Sequence, residues 1–205
     1  MIRATLWDAG GVIFASPFEA FARYEADGGL PAGFIRGLNA TNPDTNAWAK
    51  LERSDVGFDE FCDLFEAEAA AAGGTLDARA VMALLRGEIR PAVVEAIRRC
   101  RKGGLKTAML TNNFTADDEG GAFPEVFELF DVIVESRKTG VRKPDPRFYE
   151  MACELLDIEP AEAVFLDDLG VNLKPARALG MTTIKVEDAD RALADLERVV
   201  GFPLR

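Results

Sequence analysis

Five short runs of β-branched and apolar residues, separated by segments with helical spacing, constrain this 205-residue chain more than any other feature. They are Ile2 to Trp7 before Asp8, Lys106 to Leu110 before Thr111, Val132 to Val134, Ala163 to Leu166 before Asp167, and Thr182 to Val186. Strands that are apolar almost throughout must be covered on both faces, and alternation with helices across short joints favours parallel pairing. The helices carry their own punctuation. Pro91 opens one whose Val93, Val94, Ile97 and Cys100 lie near one face, and Gly103-Gly104 closes it. Pro146 opens another bearing Phe148, Met151, Ala152, Leu155 and Leu156, and Ala176 to Leu179 runs into Gly180 as a C-terminal cap. The expected class is α/β, a doubly wound parallel sheet.

Residues 16–88 break that rhythm. They lack strand-like runs and are rich in Ala, Glu, Asp and Phe, with Phe58, Phe61, Cys62 and Phe65 forming a helical stripe that leads through Ala69 to Ala72 into Gly73-Gly74. Leu76 to Leu85 reads as the last helix or the return to the core. The chain therefore divides into a core of residues 1–15 and 89–205 and an inserted helical subdomain of residues 16–88.

Composition then limits the chemistry. There is no histidine, which rules out Ser-His-Asp and Cys-His machinery, HExxH metalloprotease helices, two-His iron sites and C₂H₂ fingers. Carboxylates, hydroxyls, lysine or a metal must do the work. With 35 acidic against 24 basic residues, the net charge of −11 argues against nucleic acid or an anionic membrane as partner. No run approaches the roughly 18 apolar residues of a membrane span, and Arg3 and Asp8 interrupt the apolar start, so no signal peptide is expected. Cys62, Cys100 and Cys153 are widely spaced without a CxxC, which reads as reduced, mostly buried thiols of a cytoplasmic protein.

In an open parallel sheet, ligands sit beyond the carboxyl ends of the strands. Three runs end there in polar residues: Asp8, Thr111-Asn112 and Asp167-Asp168. Each alone reads as a cap or turn residue; their coincidence reads as a site. Carboxylates crowded into one crevice repel by about 4 kcal/mol per pair at 4 Å and an effective dielectric near 20. They need a cation, and hard oxygen donors without histidine or thiolate point to Mg²⁺. Lys143, in the turn Arg142-Lys143-Pro144-Asp145-Pro146, is a candidate second positive charge, although a loop lysine is ordinarily solvated.

Four stretches resemble the motifs of the haloacid dehalogenase superfamily, in order: LWDAGGVIF, MLTNN, RKPDPRFY and VFLDDLGVNLKPARALGMTTIKV. The last two are also similar to the N-terminal phosphatase domain of soluble epoxide hydrolase and its bacterial relatives. The resemblance implies a Rossmann-like core with an inserted helical cap and a Mg²⁺-dependent hydrolase acting on a small phosphorylated metabolite. It implies Asp8 as the nucleophile forming an aspartyl-phosphate. The Gly10 carbonyl, Asp8 and Asp168 become metal ligands, with Asp167 binding directly or through water. Thr111 and Asn112 hold the phosphoryl oxygens, helped by the N-terminus of the following helix. Lys143 steadies the nucleophile and the transferring group. Asn172 orients the metal site or the lysine.

One departure matters. Phosphatases of this superfamily usually carry a second aspartate two residues after the nucleophile, as acid and base; this chain has Gly10. General acid-base help is typically worth 10²- to 10⁴-fold, so slow turnover is expected unless the leaving group is a good one, such as an acyl or anomeric phosphate. A carboxylate from the insertion, Glu19 or Asp27, is another substitute. The alternatives are a dehalogenase, which needs no proton for halide but has no use for the Asp167-Asp168 pair, and a catalytically weak phosphate-binding module. Trp48 and Phe58 read as packing rather than pocket lining, the Arg98, Arg99, Arg101 and Lys102 cluster as complementing a helix C-terminus, and Cys62 as inert. Substrate identity and oligomeric state have no signature in the sequence.

Overall fold

The computed structural model describes residues 1–85, 87–113 and 124–205. Five strands form one parallel sheet: β1 (Ala4–Asp8), β2 (Lys106–Thr111), β3 (Val132–Glu135), β4 (Ala163–Asp167) and β5 (Thr182–Lys185), ordered β3-β2-β1-β4-β5. The order reverses beside β1, which places the switch point between β1 and β4. The strand runs read from the sequence coincide with these strands apart from their ends: β1 begins at Ala4 rather than Ile2, β3 takes in Glu135, β5 stops at Lys185, and Asp8, Thr111 and Asp167 close the ladders rather than follow them.

Among the described residues the chain continues with α1 (Phe18–Asp27), α2 (Phe34–Ala40), α3 (Ala47–Glu52), α4 (Phe58–Ala71) and α5 (Ala78–Ala83) after β1. Then come α6 (Pro91–Lys102), α7 (Pro124–Phe127), α8 (Ser136–Thr139), α9 (Pro146–Leu156), α10 (Gly170–Ala178) and α11 (Ala189–Val200). None of these helices is long and apolar enough to cross a membrane.

Strand periodicity divides the core into two layers. Trp7, Met109, Val164 and Leu166 join Val93, Ile97, Leu193 and Leu196 of α6 and α11 in one cluster. Their strand neighbours Leu6, Ala108, Leu110 and Phe165 join Phe148, Tyr149, Leu173 and Ala176 of α9 and α10 in the other. The same two-residue period carries Asp8 to the side of Leu6 and Asp167 to the side of Phe165, so both carboxylates fall on the face that α9 and α10 cover.

The inserted helices have a separate core of Phe21, Ile35, Leu38, Leu51, Phe61, Phe65, Val81 and Met82. Phe61 stacks on Phe65 at 5.4 Å, and Trp48 meets both rings edge-on at 5.8 and 5.7 Å. Glu25 is buried there because its carboxylate accepts the Gly33 and Ile35 amides at 2.7 and 2.9 Å, tying α1 to the start of α2. The region read as helical without motifs is thus helical because its Phe and Ala stripes close on one another.

Phe61 is fully buried among Trp48, Phe58 and Phe65. Phe61→Ala is expected to cost about 3–5 kcal/mol, read from urea unfolding followed by Trp48 fluorescence. A loss below about 1 kcal/mol would show that this stripe does not hold the insertion together.

Candidate active site

The carboxyl ends of β1, β2 and β4 lie side by side because the ladder pairs Asp8 with Leu110 and Trp7 with Leu166. Asp8, Asp167 and Asp168 each bring a carboxylate oxygen within 4.8 Å of the others. Between the first two sits Lys143, only 1% exposed, its Nζ 2.6 Å from Asp8 Oδ1 and 2.9 Å from Asp167 Oδ2. The ammonium also lies 5.6 Å from the centre of the Phe165 ring. Lys143 is therefore a buried counterion, and the ordinary expectation for a loop lysine fails here because the turn before α9 folds back over the strand ends.

The surroundings fix this arrangement. Asp167 accepts from Leu169 N at 2.8 Å, and Asn172 Nδ2 donates to both of its oxygens at 3.1 and 3.0 Å. The Asn172 carbonyl in turn accepts the buried Tyr149 hydroxyl at 2.7 Å. Asn172 thus orients Asp167 and, through it, Lys143. Asn112 holds the lysine from the other side: its Oδ1 accepts Lys143 N at 2.9 Å and its Nδ2 donates to Lys143 O at 3.0 Å. A second Nδ2 bond reaches Glu52 Oε2 at 3.2 Å. The Asn112 side chain is engaged by these contacts. The helix expected after Asn112 falls outside the described residues.

Electrostatics follow the geometry. Burial raises the Asp8 carboxyl well above the usual carboxylate range, with repulsion from Asp167 and Asp168 adding to it and Lys143 opposing it. Asp168 is pushed up to about 6, by burial first and then by Asp167. Burial alone would depress Lys143, but Asp167 and Asp8 outweigh it and hold the ammonium above its ordinary pKa. Three carboxylates against one ammonium leave two negative charges uncompensated. Asp8 Oδ1 is taken by Ala9 N at 2.7 Å and by Lys143. Among the described residues Lys143 is the one cation within ion-pair distance of these carboxylates. Oxygen donors with that charge deficit fit a small divalent cation, whereas Asp167, already four times hydrogen-bonded, is better placed to reach one through water.

Gly10 and Gly11 differ in what they allow. A Cβ on Gly10 would meet nothing within 4 Å. Gly11 has φ +78°, and a Cβ there would lie 2.2 Å from Asp168 Oδ2. Asp168 occupies its place because residue 11 has no side chain, a requirement that the Gly-Gly pair of the sequence does not announce.

Several weaker expectations resolve. Trp48 packs on Phe61 and Phe65, and Phe58 lies 6.3 Å from Phe61. Arg99 pairs with Glu95 at 3.0 Å and Arg101 with Asp131 at 3.3 Å, so this basic cluster ties helix to loop. All three cysteines are free and buried. Burial raises the Cys62 thiol despite Arg79, and pushes Cys100 up to about 12 and Cys153 up to about 11, which leaves none of them activated. Asp27 is exposed at the end of α1. The Glu19 side chain lies outside the described residues. The insertion carboxylate that does reach the strand ends is Glu52. Its Oε2 lies 2.6 Å from Arg142 Nε, and its Oε1 accepts Trp48 Nε1 at 3.0 Å. No sequence signal separates Glu52 from the other acids of the insertion.

This chain is similar to several known proteins. It is 35% identical to mouse acyl-CoA dehydrogenase family member 10 over 98% of its length and 19% of that protein. It is 32% identical to pig bifunctional epoxide hydrolase 2 over 99% of its length and 40% of that protein. The chain thus spans well under half of these two relatives. It is 27% identical to the sesquiterpene phosphatase astK of Aspergillus oryzae over 97% of both chains. Among solved structures, a HAD-like family hydrolase from Porphyromonas gingivalis superposes with a TM-score of 0.72 at 21% identity over 98% of both chains. A HAD family enzyme from Bacteroides thetaiotaomicron, in complex with magnesium and inorganic phosphate, gives 0.65 at 20% identity over 93% of this chain and 98% of that one. At these identities the two structures share the fold. The profile described as hydrolase, haloacid dehalogenase-like hydrolase, matches residues 2–180, a span that runs from β1 through β4 and α10 and takes in every strand-end residue of the pocket. A match of that extent settles membership: the chain belongs to the haloacid dehalogenase-like hydrolase family.

Proposed function

We propose that this hydrolase is a Mg²⁺-dependent phosphatase that cleaves a small phosphorylated metabolite through an aspartyl-phosphate at Asp8. The observation that carries this reading is the buried ammonium of Lys143, shared between Asp8 and Asp167 at 2.6 and 2.9 Å. It presents one carboxylate oxygen of Asp8 outward while restraining the other. The phosphatase astK, similar along its whole length, supports the same reading.

In this mechanism Asp8, Asp168, the Gly10 carbonyl and Asp167 are the groups that would hold Mg²⁺. The bound ion would offset charge on the phosphoryl oxygens and keep Asp8 ionised. The free Asp8 oxygen attacks phosphorus in line, and the P–O bond to the leaving group breaks with its electron pair going to that oxygen. The Thr111 hydroxyl and Asn112 N–H receive the phosphoryl oxygens. Lys143 balances the charge that Asp8 delocalises. Water then attacks phosphorus, releases inorganic phosphate and restores the Asp8 carboxylate. Helices α1–α5, residues 16–88, act as the cap that covers the pocket and excludes water. Buried free cysteines fit a reducing, cytoplasmic setting. The acidic pair Asp167-Asp168, which a metal-free dehalogenase would not need, disfavours carbon–halogen cleavage.

The direct test is phosphate release from p-nitrophenyl phosphate, acetyl phosphate and sugar phosphates, with Mg²⁺ and with excess chelator. Metal-dependent release that Asp8→Asn abolishes, in a variant that still folds, is expected. Activity retained by Asp8→Asn sinks the mechanism, and chloride release from 2-haloacids in chelator transfers the chemistry to carbon.

A second test reads the metal site without turnover. Asp168 has its folded pKa raised from 3.8 to about 6. A raised carboxyl pKa contributes stability that is complete below the unfolded value and is lost as pH rises through about 6. Mg²⁺ should therefore raise Tm more at pH 7.5 than at pH 5. Equal shifts would place the ion elsewhere.

The two glycines give a third. Gly10→Asp meets open space and is expected to raise turnover about tenfold or more by restoring an acid and base. Gly11→Ala should lower Tm and blunt the Mg²⁺ shift, because its Cβ displaces Asp168 from a left-handed turn.

A further inference from the structure

The contact between the inserted helices and the strand ends runs through one carboxylate. Glu52, the last residue of α3, is 7% exposed, and both of its oxygens are occupied. Oε1 accepts the Trp48 indole N–H at 3.0 Å, and Oε2 accepts Asn112 Nδ2 at 3.2 Å. Arg142 Nε lies 2.6 Å from the same Oε2 without aiming its hydrogen at it, so that contact is one of charge rather than a directed bond. Arg142 also donates to Pro43 O at 2.8 Å, a second link from the turn before α9 back to the insertion. Asn112 and Arg142 both bear on Lys143. Asn112 grips its backbone from both sides, at 2.9 and 3.0 Å, and Arg142 precedes it in the chain.

From this chain of contacts we infer that Glu52 is a positioning residue for catalysis: through Asn112 and Arg142 it sets the backbone of Lys143, so that the lysine stands between Asp8 and Asp167 when α3 is seated. The inference rests on the phosphatase reading for its kinetic consequence but not for its structural one. Glu52 does not itself meet the reacting atoms. Its oxygens are fully used in holding Asn112, Trp48 and Arg142, which is the reason it cannot also carry a proton to the leaving group. What it supplies is register. An Asn amide that loses its Glu52 acceptor is held by its two bonds to Lys143 alone, so the insertion no longer fixes where that pair sits.

Glu68 provides the control. Its Oε1 accepts Ala47 N at 2.7 Å and so anchors the first turn of the same α3, with no contact to Asn112 or Arg142. The experiment compares Glu52→Ala, Glu52→Gln, Asn112→Ala, Glu68→Ala and the Glu52→Ala/Asn112→Ala double variant in the full chain. Amide hydrogen exchange over residues 141–145 is read alongside phosphate release from acetyl phosphate with Mg²⁺. Glu52→Ala should speed exchange at Lys143 and lower kcat about tenfold with KM little changed. Glu52→Gln, which keeps the acceptors but not the charge, should recover part of that loss. The double variant should lose no more than the worse single one, because both act through one amide. Glu68→Ala should lower Tm with kcat and Lys143 exchange unchanged. Unaltered exchange at Lys143 in a folded Glu52→Ala overturns the inference whatever the substrate is, and so do multiplicative losses in the double variant. Faster exchange in a protein that releases no phosphate upholds the positioning role and overturns the phosphatase reading alone.

Discussion

An ammonium buried between two carboxylates is the constraint around which this molecule is arranged. Taking Lys143, Asp8 and Asp167 out of water is unfavourable unless each remaining hydrogen-bonding position is filled, since an uncompensated buried charge costs about 3–5 kcal/mol. The fold fills those positions from three directions. The loop after β4 supplies Leu169 N, α10 supplies Asn172, and the loop after β2 supplies Asn112. Tyr149 of α9 then holds Asn172 by its backbone carbonyl. A buried network held from several elements restrains the strand ends, as the phosphatase reading would require of a nucleophilic carboxylate.

The charge balance is deliberately incomplete. Lys143 neutralises one of three carboxylates, so Asp8 and Asp168 tend to hold protons when nothing else compensates them, as their raised pKa values express. On the phosphatase reading, a further cation would favour full ionisation of Asp8, so that nucleophile activation and cation binding would be one equilibrium rather than two. Register sets up the cluster: Trp7 pairs with Leu166, which brings Asp8 and the Asp167-Asp168 pair to adjacent strand ends.

Much of this was legible in the sequence, and the reason is local periodicity. The five apolar runs are the five strands, and Pro91, Pro146 and Gly180 punctuate helices where expected. Asp8, Asp167 and Asp168 could be placed together because strand ends of a parallel sheet converge. Lys143 was legible only as a candidate second positive charge, since Arg-Lys-Pro-Asp-Pro looks like a solvated turn; the resemblance to other sequences gave it a role. The resemblance implies that Asn112 holds the phosphoryl group; that its side chain grips the lysine backbone depends on a contact across 31 positions of sequence and had no signal of its own. Glu52 was invisible. It lies in a helical region without motifs, within a strongly acidic chain, and its partners Asn112 and Arg142 are reached only through tertiary folding.

That placement of Glu52 bears on the empty position at Gly10. The carboxylates of the insertion are the natural place to look for a substitute acid, yet Asp27 is exposed at the far end of α1 and Glu52 has both oxygens committed. Burial raises the Glu52 carboxyl, with Arg142 opposing, but a proton there would have to leave a site closed by Trp48 and Asn112. The space beside Gly10 is open instead, with nothing within 4 Å of where a side chain would begin. On the phosphatase reading, a site in which no described atom lies within 4 Å of a Cβ at Gly10 would favour substrates whose leaving group departs as a stable anion. Acyl and anomeric phosphates meet that condition better than alkyl phosphates, so on that reading Gly10 would act as a filter on substrate class rather than as a defect of the site.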